Sequence, residues 1–202
     1  MSTGSASPLK QAAGVMIRVA TAGDSVLLSD LGWSTFRETF VDVGGFELPY
    51  SDDDLEAYYS ASYAPIVCEY MLKDLSTRTW IATCGERAIG FVTVGVNRLQ
   101  HRCGAVAGSG HELRRLYVLR AYHGTGVASS LMDLALDYMR QKDATADTFL
   151  GVWSENLRAQ RFYERYGFTV VGEFDFRVGS TIDREFIMCK PAAVNRAVVE
   201  KQ

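Results

Sequence analysis

The stretch His123-Gly124-Thr125-Gly126-Val127-Ala128 decides how this chain is read. It follows the apolar run Leu116-Tyr117-Val118-Leu119, which predicts a strand. It opens the segment Val127 to Arg140, whose apolar residues Val127, Leu131, Leu134 and Tyr138 recur at helical spacing. A strand, a glycine turn and a helix start, in that order, make a place for an anion. The N–H groups of a helix's first turn have no intrahelical acceptor, and the helix dipole adds partial positive charge there. Two glycines leave no Cβ between a phosphate and the backbone. A tight structural connection uses the same residues, so the stretch alone leaves both readings open.

Two other phosphate-binding readings weaken on the sequence. A nucleoside-triphosphate loop ends in Gly-Lys-Ser/Thr, and no lysine stands here. A dinucleotide fingerprint carries a third Gly or Ala where Ser129 stands, and an acidic ribose ligand about 20 residues on. The next strand instead ends in Trp153-Ser154-Glu155, too far along.

With 202 residues and 48% hydrophobic content, the chain can bury one substantial core, so a single domain over 16–190 is expected. The net charge of −3, with both signs interspersed, argues against a nucleic-acid partner. Cys68, Cys84, Cys103 and Cys189 form no Cys-x-x-Cys pair and have no His partners at zinc spacing. They read as reduced thiols, Cys68 and Cys84 buried, and no metal is expected. No apolar run reaches the roughly 20 residues that cross a bilayer, and the N-terminus lacks a signal peptide's pattern. A soluble cytoplasmic protein is expected.

Residues 1–15, rich in Ser, Ala and Gly, read as a disordered leader, and 191–202 as a loose tail. Met16 to Ala20 predicts a strand, and Thr21 or Asp24 caps a helix that Gly44-Gly45 ends. Ser51 and Asp54 have the spacing of a capping box. The acids Asp52, Asp53 and Asp54, with Tyr50, Tyr58 and Tyr59, also suit a cationic substrate, and both readings stand. Pro65 breaks this segment, and a further short helix runs to about Leu72. Thr79 to Cys84 and Ala88 to Val96 read as a hairpin joined by the three residues Gly85-Glu86-Arg87. Asn97 to Gly110, carrying His101 and Cys103, reads as a mobile loop lining an entrance. Strands are then expected at Glu112 to Leu119 and Asp147 to Trp153. A helix from Asn156 to Tyr166 ends at Gly167. A terminal hairpin turns at Gly179-Ser180. The order predicts a mixed α/β sheet with helices on both faces.

The second telling stretch is Trp153-Ser154-Glu155-Asn156-Leu157-Arg158-Ala159-Gln160-Arg161-Phe162-Tyr163-Glu164-Arg165-Tyr166-Gly167-Phe168. Asn156 stands at a helix start, and Tyr163, seven residues on, lies close to two turns later on the same face. A cap and a core aromatic account for the pair equally well in isolation. Taken together, the two stretches resemble the GNAT superfamily of acetyl-CoA-dependent N-acetyltransferases. The family's Gln/Arg-x-x-Gly-x-Gly/Ala loop is matched by residues 123–128, with His123 in place of Gln or Arg. Its following segment is matched by Asn156, Ala159, Phe162-Tyr163 and Gly167-Phe168. A narrower resemblance is to bacterial spermidine/spermine N-acetyltransferases. It is carried by Phe36-Arg37-Glu38-Thr39-Phe40, by Val171-Gly172-Glu173 and Phe176-Arg177-Val178-Gly179, and by Asp183 and Ile187-Met188-Cys189-Lys190.

The resemblance implies the GNAT fold, a mainly antiparallel sheet flanked by helices, with acetyl-CoA as co-substrate and an amine as acceptor. Backbone groups of Leu116, Tyr117 and Val118 would hold the pantetheine arm. Those of Gly124, Thr125, Gly126, Val127 and Ala128 would cradle the pyrophosphate, and His123 would donate to phosphate. Val118 N–H would polarise the thioester carbonyl. Asn156 would bind the pantetheine end, and Tyr163 would protonate the departing thiolate. An alkylamine of pKa near 10 is only about 0.1% neutral at pH 7, a handicap of roughly 4 kcal/mol, so a base is needed. Glu112, eleven residues before His123, matches the base glutamate of some members. It reads equally as a strand acid paired with Arg114 or Arg115. Arg158, Arg161 and Arg165 form one basic face that meets either solvent or the cofactor's adenosine phosphate. Homodimers are common among such relatives. A CoA-binding domain without transfer activity, and acetylation of protein N-termini or lysines, are the competing functions.

Overall fold

The computed structural model describes residues 14–42, 44–99 and 109–192. The expected leader up to residue 13, the loop residues 100–108 with His101 and Cys103, and the tail from 193 lie outside the described residues. The elements in order are β1 (Val15–Val19), α1 (Ser25–Phe40), α2 (Asp52–Ser62), α3 (Pro65–Lys73), β2 (Thr77–Cys84), β3 (Arg87–Val96) and β4 (His111–Val118). They continue as α4 (Val127–Lys142), β5 (Thr148–Trp153), α5 (Leu157–Arg165), β6 (Thr169–Val178) and β7 (Thr181–Lys190). Short 3-10 turns occupy Ala22–Asp24 and Arg120–Tyr122. The seven strands form one mixed sheet in the order β1-β2-β3-β4-β5-β7-β6. Every neighbouring pair is antiparallel except β4–β5.

Both faces of the sheet are covered. From α4, Val127, Leu131, Met132, Ala135 and Met139 pack on Trp80, Val92 and Val94. On the opposite face, Leu28 and Leu31 of α1 and Cys68 of α3 pack on Ile81 and Phe91. The period-2 alternation of β2 and β3 therefore splits their apolar residues between two cores. A Leu131→Ala change in this packing would cost about 2–5 kcal/mol.

Several boundaries differ from the sequence reading. α1 ends at Phe40, before Gly44, because Arg37 O accepts both Val41 N–H and Asp42 N–H and closes the helix. The β2–β3 connection has two residues, not three, since Cys84 pairs directly with Arg87. Cys84 is only partly buried, whereas Cys68 is buried. α2 does start at a capping box: Asp54 N–H donates to Ser51 Oγ at 3.1 Å, and Ser51 N–H to Asp54 Oδ2 at 3.3 Å.

Two features of β4 create the site. The register steps from Val94↔Leu113 to Thr93↔Arg115, so Arg114 is a bulge. A bulge bends its strand and reverses which residues face which side. Leu113, Leu116 and Val118 thus join the α4-side core, while Tyr117 joins the α1 side. β4 then parts from β5, for the parallel register covers only His111↔Thr148 and Glu112↔Phe149. Beyond these pairs the sheet is split. Among the described residues no helix is long and apolar enough to cross a membrane.

Candidate active site

α4 begins at the mouth of the split. Its N-cap is Gly126, in the left-handed region at φ 91, with no side chain to cap the helix. The first backbone bond returning into the helix is Ser130 N–H to Gly126 O, at 2.9 Å. The amides before it look for an external acceptor. Gly124, at φ 77, has nothing within 4 Å of where a Cβ would stand. Thr125 Oγ1 is tied to the turn, donating to Tyr122 O at 2.7 Å. Glu38 of α1 holds the turn from outside by accepting Arg120 N–H at 2.7 Å.

Three cavities run in series from this point. The first, of about 540 Å³, is lined by Gly124, Gly126, Ala128 and the guanidinium-bearing residues Arg158, Arg161 and Arg165. An open helix start facing three arginines fits a pyrophosphate and a further phosphate. The basic face of α5 is therefore turned to the cavity. The second, a junction of about 140 Å³ inside the split, is lined by Val118, Asn156, Tyr163 and Glu185 among others. The third is a slot of about 30 Å³ between Phe36, Phe40, Tyr50, Tyr58, Tyr117, Trp153, Phe176, Asp183 and Glu185.

The anticipated residues take different places along this series. Leu116 and Val118 line the first two cavities, and Tyr117 the second and third. Leu119 N–H donates to Ile89 O at 2.8 Å on the β3 side, so Val118 N–H, one residue earlier, faces the open side. Asn156 serves as the α5 N-cap, its Oδ1 accepting Ala159 N–H at 3.1 Å, and also borders the junction. Tyr163 borders the first two cavities, its ring edge-on to Phe162 and Phe168. Burial raises its phenol well above the ordinary value, which keeps it protonated.

His123 departs from the donor role implied for it. Arg158 Nη1 donates to His123 Nδ1 at 2.9 Å, and an arginine can only donate. Nδ1 is therefore the acceptor and Nε2 carries the proton, which it gives to Val118 O at 2.9 Å. Burial lowers the imidazole pKa, and Arg158 lowers it further. Both nitrogens are engaged within the protein, and His123 lines the first cavity together with Arg158, the arginine it holds.

Glu112 lines none of these cavities. It lies on β4 where β4 and β5 still pair, accepting Arg98 N–H at 2.8 Å and standing 3.8 Å from Arg114 Nε. Burial raises its carboxyl, and the Arg98 amide and the Arg114 and Arg98 charges oppose that. The acids of α2 are also elsewhere. Asp54 is buried and accepts Ser180 N–H at 2.5 Å, Ser180 Oγ at 2.8 Å and Thr181 Oγ1 at 2.9 Å. Asp52 and Asp53 are exposed.

Of the two carboxylates that do face the series, the sequence marked Asp183 only through the narrower family resemblance, and Glu185 not at all. A signal was present. At period 2 they share a face of β7 with Ile187, which is fully buried, so two acids continue a core-facing row. Tyr50 Oη donates to Asp183 Oδ2. Burial, with Asp183 adding to it, pushes the Glu185 carboxyl up to about 8. Among the described residues no group of three or more His, Cys, Asp or Glu could hold a metal ion.

A mixed sheet split beside its parallel pair, with an uncapped helix opening into the split, defines an acyl-CoA-type transferase fold. The chain belongs to the acetyltransferase (GNAT) family, whose sequence profile matches residues 43–168. An uncharacterised N-acetyltransferase of Mycobacterium tuberculosis is 40% identical over 79 residues, 39% of this chain and 50% of that protein. The chain thus spans about half the length of the curated relatives it matches first. The spermine/spermidine N(1)-acetyltransferase of Bacillus subtilis is 27% identical over 64 residues, 32% of this chain and 42% of that one. A crystal structure of the PaiA N-acetyltransferase from Thermoplasma acidophilum, in complex with coenzyme A, superposes with a TM-score of 0.65 at 20% identity. It covers 88% of this chain and 98% of that one.

Proposed function

We propose that this protein is an acetyl-CoA-dependent N-acetyltransferase that moves an acetyl group to a small primary amine. The observation that carries the reading is the series of cavities, with phosphate-binding groups at one end and an acidic aromatic slot at the other. Acetyl-CoA supplies the thioester. The amides of Gly124, Thr125, Gly126, Val127 and Ala128 hold its pyrophosphate, and Arg158, Arg161 and Arg165 neutralise phosphate charge. The open edge of β4, Leu116 to Val118, pairs with the pantetheine arm as a strand would. Asn156 binds the end of that arm. Val118 N–H faces the negative charge that develops on the carbonyl oxygen. Tyr163 gives its phenolic proton to the departing sulfur.

The slot favours a slender cationic amine, polyamines included, because aromatic faces and carboxylates both attract an ammonium group. The base anticipated at Glu112 is left out of this reading, since that carboxylate is engaged with Arg98 and Arg114 outside the cavities. Thiol release from acetyl-CoA, measured against spermidine, spermine, amino acids, aminoglycosides and short peptides, tests the reading. Turnover with alkylamines is expected. Turnover with peptides alone would replace the small-amine acceptor by a protein one. Silence across the panel, with acetyl-CoA still raising the melting temperature, would favour a CoA-binding domain without transfer activity.

A further inference from the structure

Phe40, Tyr117, Trp153 and Glu185 line both the junction and the slot, and only Glu185 among them has a carboxylate. The sheet fixes its place, for Glu185 lies opposite Trp153 of β5 on one side and Phe174 of β6 on the other. Gly151 makes room for it: a Cβ there would stand 2.7 Å from Glu185 Oε2. Among the described residues the carboxylate has neither a hydrogen-bond donor nor an ion-pair partner. A partly buried acid left without partners costs stability, unless a ligand completes it. An arriving ammonium group would do so.

We propose that Glu185 is the base that takes the proton from the acceptor ammonium, working across the junction from Tyr163. This rests on the N-acetyltransferase reading above. An alkylammonium entering by the slot gives one proton to a Glu185 oxygen. The lone pair so freed forms the C–N bond at the thioester carbon, and the C–S bond breaks. Sulfur takes the phenolic proton of Tyr163, and the surplus proton on the new amide nitrogen restores the phenol. Glu185 returns its proton to water.

The neighbours support this assignment. Asp183 on the same strand accepts from Tyr50 and does not reach the junction. Tyr50, Tyr58 of α2, Tyr117 of β4 and Tyr163 of α5 all feel the Glu185 charge, and burial keeps each phenol protonated. The cations at the junction are committed elsewhere. Arg115 lies over the Tyr63 ring at 4.5 Å and donates to Ser62 O at 2.9 Å, and Arg158 donates to His123, whose imidazole is held neutral. Arg114 donates to Val96 O at 3.0 Å and stands beside Glu112. A carboxyl pushed up to about 8 is matched to proton transfer near neutral pH.

The test is the pH dependence of kcat/KM for n-butylamine and 1,4-diaminobutane in the wild type, Glu185→Gln, Glu185→Asp and Glu112→Gln. The wild type is expected to rise with pH and level near pH 8. Glu185→Gln should be slower by about 100-fold or more at pH 8. Its rate should keep climbing tenfold per pH unit towards the amine's own pKa, near 10. Glu185→Asp should keep the wild-type limb at a reduced rate, and Glu112→Gln the wild-type profile. The thermal shift on adding coenzyme A should persist in Glu185→Gln, which shows the fold intact. Wild-type rate and profile in Glu185→Gln would overturn the assignment while leaving the transferase reading in place. Loss of the limb in Glu112→Gln alone would move the base to β4. A wild type that binds acetyl-CoA and acetylates no amine would sink the transferase reading, and this inference with it.

Discussion

Arg158 Nη1 lies 2.9 Å from His123 Nδ1, and this one hydrogen bond fixes the tautomer of the imidazole. Since the arginine can only donate, Nε2 must carry the hydrogen that reaches Val118 O. At pH 7 a nitrogen-15 correlation spectrum should show His123 as the neutral Nε2–H form, titrating below 6.5. A protonated Nδ1 would contradict the arrangement. His123→Ala should free Arg158 and raise the KM for acetyl-CoA several-fold, with kcat little changed.

The glycine turn makes a demand on backbone conformation. Gly124 and Gly126 lie at φ 77 and 91, where an L-residue is strained by roughly 1–2 kcal/mol. Gly126→Ala should therefore lower the melting temperature by about 5 °C. Gly124→Val adds side-chain bulk where a phosphate would approach. Both should weaken coenzyme A binding tenfold or more, measured by calorimetry. Unchanged affinity would remove the pyrophosphate from this turn.

Tyr163→Phe keeps the ring packing on Phe162 and Phe168 and removes only the acidic hydrogen. Steady-state kinetics should show kcat reduced by about 10²-fold, with the KM for acetyl-CoA nearly unchanged. Because burial holds this phenol up, the wild type should show no alkaline decline from Tyr163 itself across the ordinary assay range.

Asp54 ties α2 to the tip of the β6–β7 hairpin, where a Cβ at Gly179 would stand 2.4 Å from Asp54 Oδ1. Hydrogen bonds from Ser180, then Ser51 and Thr181, hold its carboxyl well below the usual range. A lowered carboxyl contributes stability above its unfolded pKa, near 4, and that contribution is lost as pH falls through the folded value. Asp54→Asn should melt at least 5 °C lower at pH 7 and show a shallower acid limb. Asp52→Asn and Asp53→Asn, exposed at the same helix start, should leave the KM for spermidine unchanged.

Glu185 has the opposite sign. Its folded pKa is raised from 4.5 to about 8, so folding favours the protonated acid, and stability is lost as pH rises from 4.5 through 8. Glu185→Gln removes that loss. The variant should match the wild type near pH 4 and melt roughly 5 °C or more above it at pH 9. A loss of activity together with a gain of stability would mark a functional group rather than a structural one.

Part of this protein could be read from its sequence. The glycine turn, the Ser51–Asp54 box and the spacings of α4 and α5 are local signals, set by caps and periodicity within a few residues. They were enough to mark the glycine turn, Asn156 and Tyr163, which the fold brings to two adjoining cavities. Element ends were less legible, because the closure of α1 at Phe40 and the two-residue β2–β3 turn depend on backbone hydrogen bonds.

What the sequence could not supply was which distant residues meet. β7 enters the sheet between β5 and β6, which brings Glu185 beside Gly151 and across a cavity from Tyr163. The bulge at Arg114 reverses the faces of β4, and Glu112 stays where the strands still pair, held by Arg98. A carboxylate's role is set by its desolvation and its donors, and both come from strands far apart in the chain. The sequence therefore marked the glycine turn and the α5 residues that line the first two cavities, and the tertiary structure decided which acid borders the junction and the slot.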